Sequence, residues 1–374
     1  MNLGKKVKVR DMKPGWTYRV PGKTLEEIYE SAHEYAKWPP VQMTDAKQNT
    51  GLLLLKVTED NKNNWDEKYG FNLYPIHEEV ELTEKYDFDY IKMMPFGLYS
   101  TQDFGNQLTI YCDPYEEPIV KRFAIQSPAD YDALRAIPAI QGTYGKQIEF
   151  ARELIRRRTP GTPCIQTIFS PFSTLKKMAG DRLLKDMIFY PEAVHHALAA
   201  ITATTLDFVS YNIDAGVDGF FFATQNAVRT MMSPDQFQEF GAFYDLQVIK
   251  SYAKKTWFNA VHIHGEDIYF NEVASYPVNA INWHDRHTWP TLKEARNLTD
   301  KCLMAGIKSA PYFVDGVLQY DDIVLDGTPE EITAHVKDAI EQVDGKGLIL
   351  GPGCVVNPKA SEENLRALRK ATEL

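Results

Sequence analysis

The sequence predicts a distorted (β/α)8 TIM-type barrel, an α/β fold, carrying an irregular N-terminal extension. Short apolar segments alternate with amphipathic segments of about a dozen residues or more from residue 145 onward, which is the pattern of parallel βαβ units. Polar residues gather where the strand-like segments end, the end at which such a barrel keeps its chemistry. The chain has 374 residues, long enough for one large α/β domain or two modest ones.

The elements follow in order. "GKQIEFARELIRRR" has the apolar spacing of an amphipathic helix, and "PCIQTIF" reads as the strand after it. "PEAVHHALAAITATTLDFVSYNIDAG" is the next helix, with Pro191 at a first-turn position and Gly216 as its C-cap. "VDGFFFAT" is a strand. "SPDQFQEFGAFYDLQVIKSYAKK" is a helix opened by Ser233 as N-cap and Pro234 at the first helical position. "WFNAVHIHG" and "VNAINWH" are strands, "PTLKEARNLTDKC" is a helix and "LMAGI" a short strand. "GTPEEITAHVKDAIEQV" carries Thr328 and Glu331 at capping-box spacing; "GLILGPGC" is a strand, and "SEENLRALRKATEL" closes the chain as a helix. The first 150 residues show little sustained helical period, and residues 1–86 stand ahead of the barrel. The latter are expected to form an irregular segment packed on a barrel spanning 87–374, with further strands supplied from the N-terminal third.

Composition narrows the function classes. The 51 acids against 41 bases give a net charge of −10, which argues against nucleic acid as a partner, since phosphate binding requires a basic surface. No apolar run is long enough to span a bilayer, and the N-terminus lacks the apolar core of a signal peptide. Cys112, Cys164, Cys302 and Cys354 lie far apart without a CxxC pair, the usage of reduced thiols in a cytoplasmic protein.

The chemistry-bearing residues sit at the strand ends. In "WFNAVHIHG" the alternation of a strand turns His262 and His264 to the same face, about 6–7 Å apart, whereas on a helix they would diverge by about 200°. Gln166, Ser170, Gln225, Asn226, Asn282, His284, Asp285 and Cys354 occupy comparable positions. Gln225 and Asn226 also suit loop or helix-capping duty, and His284 with Asp285 also suits a hydrogen-bonded surface turn. His195 and His196 are adjacent on a helix and read as structural. His262, His264 and Cys354 would give a nitrogen–nitrogen–sulfur set with room for a fourth ligand, and the soft sulfur favours zinc. An inert buried thiol is the alternative for Cys354. Glu266 and Asp267 could complete or orient such a site, but as neighbours they cannot share one direction.

From about residue 87 to the end, "YIKMMPFGLYSTQDFG", "IFSPFSTLKKMAG", "AGVDGFFFAT", "MSPDQFQEF", "VHIHGE", "DGTPEEI" and "GPGCVVNPKASEENLRAL" resemble, in order and spacing, the uroporphyrinogen decarboxylase superfamily. Within it the chain is closer to the zinc- and cobamide-dependent methyltransferases than to the decarboxylase. The decarboxylase's arginine-rich "RQAGRY"-like segment has no counterpart in the first 60 residues, which contain only Arg10 and Arg19. The methyltransferase branch binds zinc through a histidine-x-cysteine pair and a later "GC" cysteine. His262 matches the first ligand, Cys354 the last, and His264 stands where that branch has cysteine. Exchange of thiolate for imidazole makes a bound zinc more Lewis-acidic and favours a methoxy or similar oxygen-bearing substrate over a thiol.

The resemblance therefore implies a zinc-dependent methyltransferase that moves a methyl group between a small molecule and a corrinoid (cobalamin) on a partner protein. It is also consistent with a homodimer. In that reading Glu266, His284 and Asp285 orient a ligand or handle a proton. Gln166, Gln225, Asn226, Asn282 and Tyr312 line the substrate pocket, and Trp283 serves either that pocket or the core. Two other readings stand beside it. One is a metal-free decarboxylase or lyase in which His262 and His264 act as cationic or proton-donating groups toward a carboxylated substrate. The other is a non-catalytic binding protein on the same barrel.

Overall fold

Seven strands form one parallel, curled sheet: β1 (Ile91–Lys92), β2 (Cys164–Phe169), β3 (Gly219–Thr224), β4 (Ala260–Ile263), β5 (Ala280–Trp283), β6 (Cys302–Ile307) and β7 (Leu348–Pro352). Each strand pairs with its neighbours in chain order, β7 at one edge and β1 at the other. A doubly wound sheet reverses direction at a switch point, whereas a barrel adds strands in sequence; this order is the barrel's. The structure, a computed structural model, describes residues 82–109, 118–314, 317–356 and 360–373, with four two-residue strands ahead of them. Most of the expected 1–86 segment, and Cys112, lie outside the described residues.

Five of the seven strands lie within the segments read as strands, β6 begins one residue before "LMAGI" at Cys302, and β1 comes from the N-terminal third, out of "YIKMMPFGLY". The connecting helices carry their expected caps. Pro191–Ala215 ends on Gly216 in the left-handed conformation, φ 94°, which a side chain would strain. Ser233 with Gln236 and Thr328 with Glu331 form reciprocal capping boxes, each satisfying two otherwise orphaned backbone donors.

Three features depart from the expected elements. The helix after Ser233 is interrupted by a π-helical turn at Phe237–Ala242, where the Phe240 ring stacks on His195 at 4.5 Å. The helix read from "PTLKEARNLTDKC" runs only over Leu292–Leu298, because Thr291 caps it and Thr299 is extended. A hairpin, Ser309–Val314 against Val317–Asp322, follows β6 directly. Its signal was present: Asp315-Gly316 between two apolar runs is a strong short-range marker for a two-residue hairpin loop.

Alternation divides each strand between two apolar regions. Ile168, Phe222, Val261, Ile263, Ile281, Trp283 and Leu303 join the large core under the helices. Ile165, Phe221, Ala260, Ala280 and Met304 face the other way and, with Phe258, form a separate apolar cluster on the inner face. Continuing two residues along β4 and β5 from Ala260 and Ala280 gives His262 and Asn282 on that same inner face, and two more give His264 and His284 at its rim.

Candidate functional site

The inner face ends in three histidines. His262, His264 and His284 each offer a ring nitrogen, and the three nitrogens lie within 4.8 Å of one another; among the described residues this is the group able to hold a metal ion. The register explains the convergence: His262 on β4 lies opposite Asn282 on β5, so His264 and His284, each two residues further on, meet across the same pair of strands. Their rings lie 5.0 Å apart, and each is within 6 Å of the His262 ring.

Two readings fit the 3.2 Å separation of His264 Nδ1 and His284 Nε2. It suits an N–H···N hydrogen bond between neutral rings, and it also matches the edge of about 3.3 Å that tetrahedral zinc–nitrogen bonds of about 2.0–2.1 Å would give. His262 separates them. Its Nε2 is buried without a hydrogen-bond partner, as is Nδ1 of His284. An orphaned buried nitrogen costs on the order of 1–3 kcal/mol, and an ion between the rings would remove that cost at His262. Electrostatics agree with ligation. Burial pushes all three histidines below their usual range, His262 well below and His284 to about 4, with mutual repulsion and the Lys92 and Lys177 ammonium groups adding to it. At neutral pH the rings are therefore neutral and keep lone pairs for a metal.

Packing fixes the rings from below and beside. The Phe221 ring stacks on His262 at 5.5 Å with 21° between planes. Gly353, just past β7, lies so close to His284 that an added Cβ would stand 2.7 Å from its Nδ1 and 3.0 Å from its Cα. Only glycine allows that approach without displacing the ring.

The third member of the group is thus His284 rather than Cys354. Alternation along β7 turns Ile349, Gly351 and Gly353 inward, so the inward place beside His284 goes to Gly353, and Cys354 follows at a half-buried position outside the group. The signal for His284 was in the sequence: "HIH" on one strand and "NWH" on the next place three imidazoles and one amide on one face.

The other expected site residues are dispersed. Gln166 is fully buried on the helix side of β2, its Nε2 donating to Asn212 Oδ1 and its Oε1 accepting from the Thr167 N–H. Asp285 turns to β6, where its Oδ1 accepts from the Gly306 N–H at 2.9 Å, and burial raises its carboxyl to about 6. Arg286 beside it binds the Gly306 carbonyl and the Asp338 carboxylate, so this pair clamps backbone. Glu266 is exposed in the turn beyond His264. Gln225 is half-buried at the rim, its N–H bound to Ser173 Oγ; Asn226 donates to Met231 Sδ. Trp283 is core, donating to the Pro290 carbonyl, and Ser170 caps the helix Pro171–Ala179. Tyr312 lies on the hairpin opposite Gln319, its side chain outside the described residues. His195 is held by Tyr244 and Glu239, in line with a structural role.

A parallel barrel-type sheet with a metal-capable imidazole group at the C-terminal end of its strands defines the class. The chain belongs to the uroporphyrinogen decarboxylase (URO-D) family, whose profile matches residues 79–373. It is similar to the methylcobamide:CoM methyltransferase MtaA of Methanosarcina barkeri, 23% identical over 248 residues that span 66% of this chain and 66% of that protein. Among solved structures it resembles a methyltransferase from Methanosarcina mazei at a TM-score of 0.66 and 17% identity, covering 84% of this chain and 89% of the other. A B12-independent methionine synthase from Shewanella sp. W3-18-1 matches more weakly, at a TM-score of 0.48 and 14% identity over 83% of this chain and 88% of that one. Among the described residues no helix is long and apolar enough to cross a membrane.

Proposed function

We propose that the protein is a zinc-dependent methyltransferase that moves a methyl group between a small molecule and a corrinoid carried on a partner protein. The observation that carries this reading is the convergence of three neutral imidazoles, one with an orphaned buried nitrogen, at the strand ends of a chain whose curated relative is a methylcobamide methyltransferase.

His262, His264 and His284 would hold the zinc and leave a position open for substrate. Zinc bound there would supply a Lewis acid for the heteroatom that carries or receives the methyl group. An all-nitrogen set brings no thiolate charge, so it favours oxygen-bearing donors such as methoxy compounds over thiols. Phe221 and the apolar cluster beneath it keep water from the inner side of the rings. Lys177, over the Phe169 ring and donating to the Gly97 carbonyl, adds positive charge on the side of His264. With His284 in the ligand set, Asp285 engaged at Gly306 and Asp267 paired with Arg229, Glu266 is the exposed acid beyond His264 that could handle a proton.

The metal-free lyase reading asks for cationic or proton-donating imidazoles. The downward shifts at all three histidines weigh against cationic rings at neutral pH. The two readings separate by assay. Zinc-loaded protein, a reduced free corrinoid and a panel of methoxy compounds should give methyl transfer that collapses in His262→Ala. Carbon dioxide release from carboxylated substrates by metal-free protein, without methyl transfer, would overturn the proposal.

A further inference from the structure

Asn282 lies directly opposite His262 in the β4–β5 register. The residue is 2% exposed, and its side-chain amide has three polar neighbours. One amide atom sits 2.5 Å from the Met304 carbonyl oxygen and 2.9 Å from the Pro352 carbonyl oxygen; the other sits 2.6 Å from His262 Nδ1. Carbonyl oxygens only accept, so the atom facing two of them is Nδ2, and both its protons are used. That fixes the amide orientation by chemistry. The remaining atom, Oδ1, only accepts, so His262 Nδ1 carries the proton. In a neutral ring Nε2 is then a bare lone pair, and it is the nitrogen buried without a partner.

We propose that Asn282 is a positioning residue: by accepting from His262 Nδ1–H it locks the ring in one tautomer and presents Nε2 as a metal ligand. The inference rests on the zinc reading for its consequence, but not for its geometry. Carbonyls from β6 and β7 hold the amide, so one side chain ties the orientation of a β4 ligand to the two strands beyond β5. Asp at this position would keep the acceptor for His262 but turn its other oxygen toward two carbonyl oxygens, so the conservative change should not rescue.

The test is nitrogen-15 NMR of histidine-labelled, metal-free protein, with His262 assigned by the signals lost in His262→Gln, together with zinc affinity by competition with a chromophoric chelator. The wild type should show His262 protonated at Nδ1. Asn282→Ala should lose that exclusivity and bind zinc about 10–100-fold more weakly, the range for losing an outer partner of a ligating histidine. His262 protonated at Nε2 in the wild type, or unchanged zinc affinity in folded Asn282→Ala, would overturn the proposal. Should Asn282→Ala not fold, the wild-type tautomer decides alone. An Nδ1-protonated ring in a wild type that binds no zinc would sink the zinc reading while upholding Asn282's hold on the ring.

Discussion

The two ends of the inner face differ by two residues along the same strands. Ala260 and Ala280, with Ile165, Phe221 and Met304, make an apolar floor; His262 and Asn282, then His264 and His284, make a polar rim. The floor is held mainly by burial, and the polar groups at its edge have partners: the Tyr90 hydroxyl donates to Met304 Sδ and the Lys92 ammonium lies over the Phe221 ring. The rim buries nitrogens that lack partners and pushes three bases away from their usual pKa, costs that a packed interior does not carry without compensation. Stability and chemistry thus occupy successive layers of one sheet, and each can be disturbed separately.

The largest contrast should come from removing a ligand. His284→Ala is expected to weaken zinc binding and lower kcat/KM for methyl transfer by more than about 100-fold, beyond the range for an outer-partner change, while thermal stability of the metal-free protein stays within about 1 kcal/mol of wild type. Ile165→Ala in the floor should do the reverse. It should cost about 2–5 kcal/mol in denaturant unfolding and leave zinc affinity of the folded protein unchanged.

Acidity distinguishes the rim from the outer packing in the opposite sense. Burial lowers the rim histidines, so their contribution to stability is present above the unfolded value near 6.5 and is lost as pH falls, for His284 down to about 4. Asp245, buried beneath the helices and bound by the Tyr276 hydroxyl, is raised from 3.8 to about 8. Its contribution is present below about 4 and is lost as pH rises to about 8. Unfolding of metal-free protein across pH should therefore show a loss toward acid that His284→Ala reduces, and a loss toward pH 8 that Asp245→Asn flattens; parallel profiles for the variants and wild type would contradict both assignments.

Gly353→Ala should touch zinc less than the ligand change does and stability less than Ile165→Ala does. It presses a methyl group on the His284 backbone and ring, at an expected 1–3 kcal/mol of stability and about tenfold in zinc affinity, with Cys354 itself left in place. Stability lost with full zinc affinity would show that His284 can move aside and still bind.

Much of this was legible in the chain. Alternating apolar segments, Gly216, and the Thr328–Glu331 spacing located strands and caps, because those signals act over a few residues. The HxH spacing located two of the three clustered imidazoles for the same reason. What was hidden depended on register and on which face a strand presents. Gln166 sits one residue off the inner parity and therefore faces Asn212. Cys354 sits one residue past Gly353, and the clustered group contains the imidazole of His284 and not the thiol. Asn282, read as a substrate contact, meets His262 because β4 and β5 pair in a register that no single strand specifies.

The central claim is that three imidazoles hold one zinc ion at the rim. Zinc content by mass spectrometry, measured on protein purified without added metal and compared among wild type, His262→Ala, His284→Ala and Cys354→Ala, tests it most directly. The account predicts one zinc per chain in the wild type and in Cys354→Ala, and loss of zinc in either histidine variant. A wild type without zinc after loading and desalting, or a full complement in both histidine variants with loss only in Cys354→Ala, would contradict it.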